Sequence, residues 1–149
     1  MLREPLLYLS LYFKQNRRTY YELLDRVRQD GDWEAWIAFF LEGVVQVANE
    51  AVRNAQRLEE MFHNDRVRIT GVGRRAGSAL RVHESLKARP IQSIGSLSKS
   101  TGLSPPTAGS SIETLVELGI ARELTGKRRD RLFVYDRYLN VLAEGTEPL

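Results

Sequence analysis

The sequence has no cysteine, which excludes disulfide staples, thiolate metal sites and cysteine nucleophiles. It has only two histidines, His63 and His83, 20 positions apart. A multi-histidine metal site is therefore excluded, and histidine-based catalysis has little to draw on. No unbroken run of about 18 apolar residues occurs, so no membrane span is expected. The N-terminus lacks a basic stretch followed by an apolar one, so no secretory signal is expected either. These absences point to a cytoplasmic chain with no membrane partner. What is present is 149 residues with 42% hydrophobic and 28% charged side chains, a globular balance.

The net charge of +3 is unevenly spread. Residues 1–70 carry 10 basic against 11 acidic side chains, and residues 71–149 carry 12 against 8. The basic excess belongs to the second half, as expected of a nucleic-acid partner or of a solvated surface.

The first half reads as three helices. Leu6, Leu7, Leu9, Leu11, Tyr12 and Phe13 form a dense apolar stretch after Pro5. Asn16 is placed to cap a second helix with Tyr20, Leu23, Leu24 and Val27 inward, and Gly31 to stop it. Asp32 is placed to cap a long third helix. Its stripe Trp33, Ile37, Phe40, Val44, Ala48, Ala51, Ala55, Leu58 and Phe62 recurs at spacings of three and four, so it is expected to be core. His63 is expected near the end of that helix, where it would favour the dipole. Tyr8, Tyr12, Tyr20 and Tyr21 are expected to pack. The first helix is apolar nearly all round and short of neighbours, which points to self-association. The glycine- and arginine-rich stretch Thr70 to Gly77 reads as a linker. The domains are thus expected at 1–70 and 71–149.

The second half changes rhythm. Ser78 to Arg89 is predicted as a helix ended by Pro90, with Leu80, Val82 and Leu86 inward and His83 half-buried or exposed. Ile91 is extended, and Ser93 caps a helix over 94–101. Gly102-Leu103-Ser104 is a tight turn. Ser104 caps a helix with Pro105 in its first turn and Ala108, Ile112, Leu115 and Leu118 buried. Strands over 120–124 and 131–135 flank a polar turn, and a short helix follows. This order is that of a winged helix-turn-helix. The predicted class is mainly α: a helical bundle segment followed by a winged helix-turn-helix with a β-hairpin wing.

Leu6-Leu7-Tyr8-Leu9-Ser10, Tyr12-Phe13, Asn16-Arg17, Tyr20-Tyr21, Gly31-Asp32-Trp33-Glu34-Ala35-Trp36 and Phe39-Phe40-Leu41-Glu42-Gly43-Val44 together resemble the Fic family. Leu115-Val116-Glu117-Leu118-Gly119-Ile120, Thr125-Gly126-Lys127-Arg128-Arg129 and Phe133-Val134-Tyr135-Asp136 resemble the winged-helix C-terminus of one Fic subgroup. The resemblance implies helices of a Fic-like core over 1–70. It implies a parent enzyme that transfers AMP from ATP to protein hydroxyls with Mg²⁺, using a loop of the form H-P-F-x-(D/E)-G-N-G-R-x-x-R. That loop is not in this chain. Neither His63-Asn64 nor His83-Glu84 begins it, and Gly71-Val72-Gly73-Arg74-Arg75 lacks its asparagine and histidine. The chain is expected to be a Fic protein without its catalytic part. No catalytic, cofactor or metal residue carries over, and no activity is expected of this chain alone.

The candidate DNA-binding residues are Ser104, Thr107, Ser110 and Ser111 on the outward side of the helix from Ser104, and Lys127, Arg128, Arg129 and Arg131 at the wing. Hydroxyls bond phosphates or bases, and a cationic hairpin tip suits phosphates or a minor groove. Thr114 is also expected to face outward. That helix has no Arg, Lys, Asn or Gln from Ser104 to Leu118, and Glu113 and Glu117 would repel phosphate if they faced it. The alternative readings are a protein-target or dimerisation module and a passive appendage.

Overall fold

The computed structural model describes residues 9–127 and 130–144. The chain divides into two compact units at Gln56/Arg57. The division falls inside a helix rather than at the glycines after Thr70, because the last turns of that helix belong to the second core.

In residues 9–56, α1 spans Leu9–Gln15 and α2 spans Arg17–Asp30. α3 starts at Trp33 and runs to Thr70 without interruption. Gly31 ends α2 in the left-handed conformation (φ 71°), where glycine carries no Cβ penalty. Asp32 accepts from the Ala35 N–H at 3.2 Å and opens α3. Asn16 does not cap through its side chain. Its amide instead donates to the Tyr12 carbonyl at 2.9 Å, closing the end of α1. The core of this unit is Tyr12, Leu23, Phe39 and Val47, flanked by Leu9, Phe13, Tyr20, Ala35 and Trp36. Gly43 lets α3 meet the Tyr12 ring: a Cβ there would lie 2.5 Å from Tyr12 Cδ1.

The expected core stripe on α3 is corrected at its start, while Leu58 and Phe62 at its end do pack on the core of residues 57–144. Trp33 is 59% exposed, Ile37 50% and Phe40 38%. The buried edge of the helix runs instead through Phe39, Gly43 and Val47, about a quarter turn away. Of the four clustered tyrosines, Tyr12 is buried, Tyr20 half-buried and Tyr21 exposed, and Tyr8 lies outside the described residues. The membrane expectation is qualified too. α3 contains an 18-residue window that is long and apolar enough to cross a membrane by length and composition alone.

Residues 57–144 form a winged helix-turn-helix. The last turns of α3 lead into a 3-10 turn at Gly73–Arg75, then α4 at Ala76–Ala88, β1 at Ile91–Ser93, α5 at Ile94–Thr101 and α6 at Pro105–Glu117. β2 at Arg122–Glu123, β3 at Leu132–Val134 and α7 at Asp136–Ala143 follow. The antiparallel sheet has the order β1-β3-β2, with Ile91 and Arg122 both opposite Val134. Ser93 accepts from Ser96 N–H at 3.2 Å, as its capping role requires. Met61, Ile69, Ala79, Val82, Leu86, Leu97, Ala108, Ile112, Leu115, Ile120, Phe133 and Tyr135 make one continuous core. Gly119, at φ 66°, turns the chain from α6 into β2.

Candidate nucleic-acid interface

α6 is the helix a winged fold offers to a groove. Its first turn is built by Ser104 and Pro105. The Ser104 hydroxyl accepts from Thr107 N–H at 3.4 Å and lies 2.8 Å from the Thr107 hydroxyl. Pro105 occupies a position whose N–H has no intrahelical partner. One turn on, Ser110 is exposed and donates to the Thr107 carbonyl at 3.1 Å. Ser104, Thr107 and Ser110 thus form one polar ridge along the start of the helix.

Two outward placements on α6 are corrected. Ser111 is 2% exposed and Thr114 1% exposed. Both lie on the core side, since Ser111 follows Ala108 by three positions and precedes Leu115 by four. The Ser111 hydroxyl is buried without a partner among the described residues. The Thr114 hydroxyl donates to the Ser110 carbonyl at 3.0 Å.

Arg131 has a different role from the one expected. Its guanidinium bonds Glu113 of α6 at 2.5 Å and Glu123 of β2 at 2.6 Å, and lies 4.9 Å from the Phe133 ring centroid. Hydrogen bonding to Glu123 and then Glu113 raises its pKa beyond the usual arginine value, while the same bond holds the Glu123 carboxyl below the usual carboxylate range. Arg131 therefore fastens the wing to α6. Glu117 is also paired, with Arg75 at 3.4 Å. Lys127 is exposed and without an ion pair among the described residues. Arg128 and Arg129 lie outside the described residues. Gly126 (φ 58°) and Asp130 (φ 54°) bracket the wing tip in left-handed conformations that glycine and aspartate tolerate.

A buried polar cluster sits in the core of residues 57–144. His83, expected to be half-buried or exposed, is fully buried. Its Nε2 lies 3.3 Å from the Tyr135 hydroxyl, which donates to Asp65 Oδ2 at 2.6 Å. Asp65 Oδ1 accepts from Arg68 at 3.3 Å and from Arg137 at 3.2 Å. Burial lowers the His83 pKa, and Asp65 and Glu84 only partly oppose this. Burial and the Asp65 bond raise that of Tyr135. The signal was available: Asp65 interrupts the series Leu58, Met61, Phe62 and Ile69 at a spacing that faces the core. His63 is exposed and sits seven residues before Thr70, too far from the helix end to act on its dipole.

Among the described residues no group of three or more His, Asp or Glu is placed to hold a metal ion. The Gly71–Arg75 stretch makes the turn between α3 and α4, with Arg75 spent on Thr114 and Glu117.

No protein-family model matches the chain. A MarR family transcriptional regulator from Silicibacter pomeroyi DSS is similar in structure over 80% of this chain and 71% of that chain, at 17% identity and a TM-score of 0.38. A likeness that remote carries no argument.

Proposed function

We propose that residues 57–144 bind duplex DNA, with the ridge Ser104, Thr107 and Ser110 on α6 facing a groove and the wing around Lys127 reaching the backbone. The observation that carries this is the pairing of both α6 carboxylates: Glu113 with Arg131 and Glu117 with Arg75. The charge that would repel phosphate is neutralised within the fold. With hydroxyls and no amide or guanidinium on α6, recognition leans on backbone contacts and shape rather than on base pairs. Anisotropy titrations with a fluorescent mixed-sequence duplex test the reading. Affinity is expected to fall linearly with salt on logarithmic axes. Ser110→Glu, which sets an unpaired carboxylate on the ridge, is expected to remove binding. Absence of binding by the unaltered chain at 50 mM salt would overturn the proposal.

The exposed apolar face of α3 favours a second reading for residues 9–56. Trp33, Ile37, Phe40, Leu41 and Val45 are each 38–60% exposed on one helix. In this reading the unit is a segment of a Fic-like core that meets protein, as a target surface or in self-association. Light scattering tests self-association: a dimer at tens of micromolar that Leu41→Glu returns to monomer supports it, and a monomer counts against it.

A further inference from the structure

Arg131 is paired with two glutamates, so the unpaired cations elsewhere in residues 57–144 are the first candidates to meet a DNA backbone. Most charged groups there are mutually paired. Arg57 pairs with Glu144, Arg66 and Lys87 with Glu84, Arg68 and Arg137 with Asp65, and Arg122 with Asp136. Arg74, Arg81, Arg89, Lys99 and Lys127 carry no ion pair among the described residues.

Two of these five share one crease. Arg89, Ser93, Gly95, Ser96, Lys99 and Ser100 line an open depression of about 540 Å³ where the end of α4 meets α5. No carboxylate lines it. The neighbouring depression, which holds Arg66 and Arg81, includes Glu84. A buried side chain beside the first crease bonds two of the residues that line it. Gln92, 3% exposed, donates from Nε2 to the Ser85 carbonyl at 2.8 Å, to the Ser85 hydroxyl at 2.9 Å and to the Arg89 carbonyl at 3.1 Å. Its Oε1 accepts from the Ser96 hydroxyl at 2.9 Å. One amide therefore ties the backbone of Arg89 to the first turn of α5, which holds the two elements that carry Arg89 and Lys99 together. Preorganisation of this kind lowers the ordering cost of binding. Ser93 uses its oxygen as an acceptor for Ser96 N–H, and its hydroxyl hydrogen has no acceptor among the described residues. The helix that carries the crease also packs on α6. Ile94, next to Ser93, reaches Gly109, where an added Cβ would lie 3.7 Å from Ile94 Cδ1, and Gly109 precedes Ser110.

We propose that this crease seats the DNA backbone, with Arg89 and Lys99 contacting phosphodiester groups, Ser93 donating to a phosphate oxygen and Gln92 acting as a positioning residue. The proposal rests on the DNA-binding reading above and adds the side chains that supply its electrostatic free energy.

The test is the salt dependence of duplex binding by the full chain. Each lost phosphate contact lowers the slope of log affinity against log salt by about 0.9, so Arg89→Ala with Lys99→Ala is expected to lower it by about 1.8. Affinity at 0.1 M salt is expected to drop at least about tenfold. Arg74→Ala with Arg81→Ala removes the same charge from unpaired sites outside the crease and is expected to leave the slope nearly unchanged. Melting curves check that both double variants fold, and Arg89→Gln with Lys99→Gln serves if the alanine pair does not. An unchanged slope in the crease variant overturns the seat while leaving DNA binding standing. An equal fall in both double variants overturns it too, since bulk charge alone would then account for the effect. A chain that binds no duplex removes the DNA reading itself, and the seat falls with it.

Discussion

Residues 57–144 and residues 9–56 bury their apolar side chains to different depths. In the former, Ile69, Val82, Leu86, Leu97, Ile112, Leu115 and Phe133 are all at 0% exposure. In the latter the deepest side chains, Tyr12 and Val47, keep 6%, and an apolar helix face stays open. The winged unit closes its own core because its elements approach from every side: four helices, a sheet, and the last turns of α3. The other unit has two shorter helices covering one edge of α3. A sequence stripe with helical spacing establishes that a face is apolar, and the number of elements that reach it determines whether it is buried.

That contrast is open to direct test. Phe133→Ala is expected to cost about 3–5 kcal/mol of unfolding free energy in urea titrations, against well under about 1 kcal/mol for Val45→Ala, whose side chain is 60% exposed. Equal costs would mean that the α3 face is covered in solution. Next in size is the buried cluster. Asp65→Ala leaves the Tyr135 hydroxyl without its acceptor and is expected to cost about 3 kcal/mol, whereas Tyr135→Phe removes the bonds to Asp65 and His83 and costs about 1–2 kcal/mol. The same titrations rank the two variants.

Gly43→Ala drives a methyl into the Tyr12 ring and is expected to destabilise residues 9–56 by about 1–3 kcal/mol. Both tryptophans, Trp33 and Trp36, lie in that unit, so tryptophan fluorescence reports the loss there. The smallest effect concerns pH. His83 is held neutral in the folded state, with its pKa below the ordinary 6.5. The unfolded chain therefore takes up the proton first. This contribution to stability is complete above pH 6.5 and is lost as pH falls from there toward the depressed folded-state value. The slope is at most about 1.4 kcal/mol per pH unit. His83→Gln is expected to flatten stability against pH just below pH 6.5, measured by urea midpoints. An unaltered slope would place the titration elsewhere.

Much of the winged unit was legible in the sequence because its punctuation is local. Ser93, Gly102, Ser104, Pro105 and Gly119 act through the backbone within a turn or two, and the helices begin and end where they stand. The ridge residues Ser104, Thr107 and Ser110 follow from that register. Ser111 and Thr114 were misplaced because hydroxyl residues give no hydrophobic signal, so the pattern of Ala108, Ile112 and Leu115 left their side of the helix open. His83 was misjudged for a related reason. A polar side chain is buried only when distant residues satisfy it, and Asp65 and Tyr135 lie 18 and 52 positions away.

The sequence by itself determined the mainly helical class, the helix-turn-helix with its wing, the lack of thiol and multi-histidine chemistry, and the basic bias of the second half. Only the tertiary structure decided which charges are free. Arg131 looked like a phosphate contact in the sequence and is locked between two glutamates, whereas Arg89 and Lys99 are ten positions apart and share one crease. Local signals act over one or two turns of chain, while a charge is spent or available according to what folding brings within a few ångströms of it.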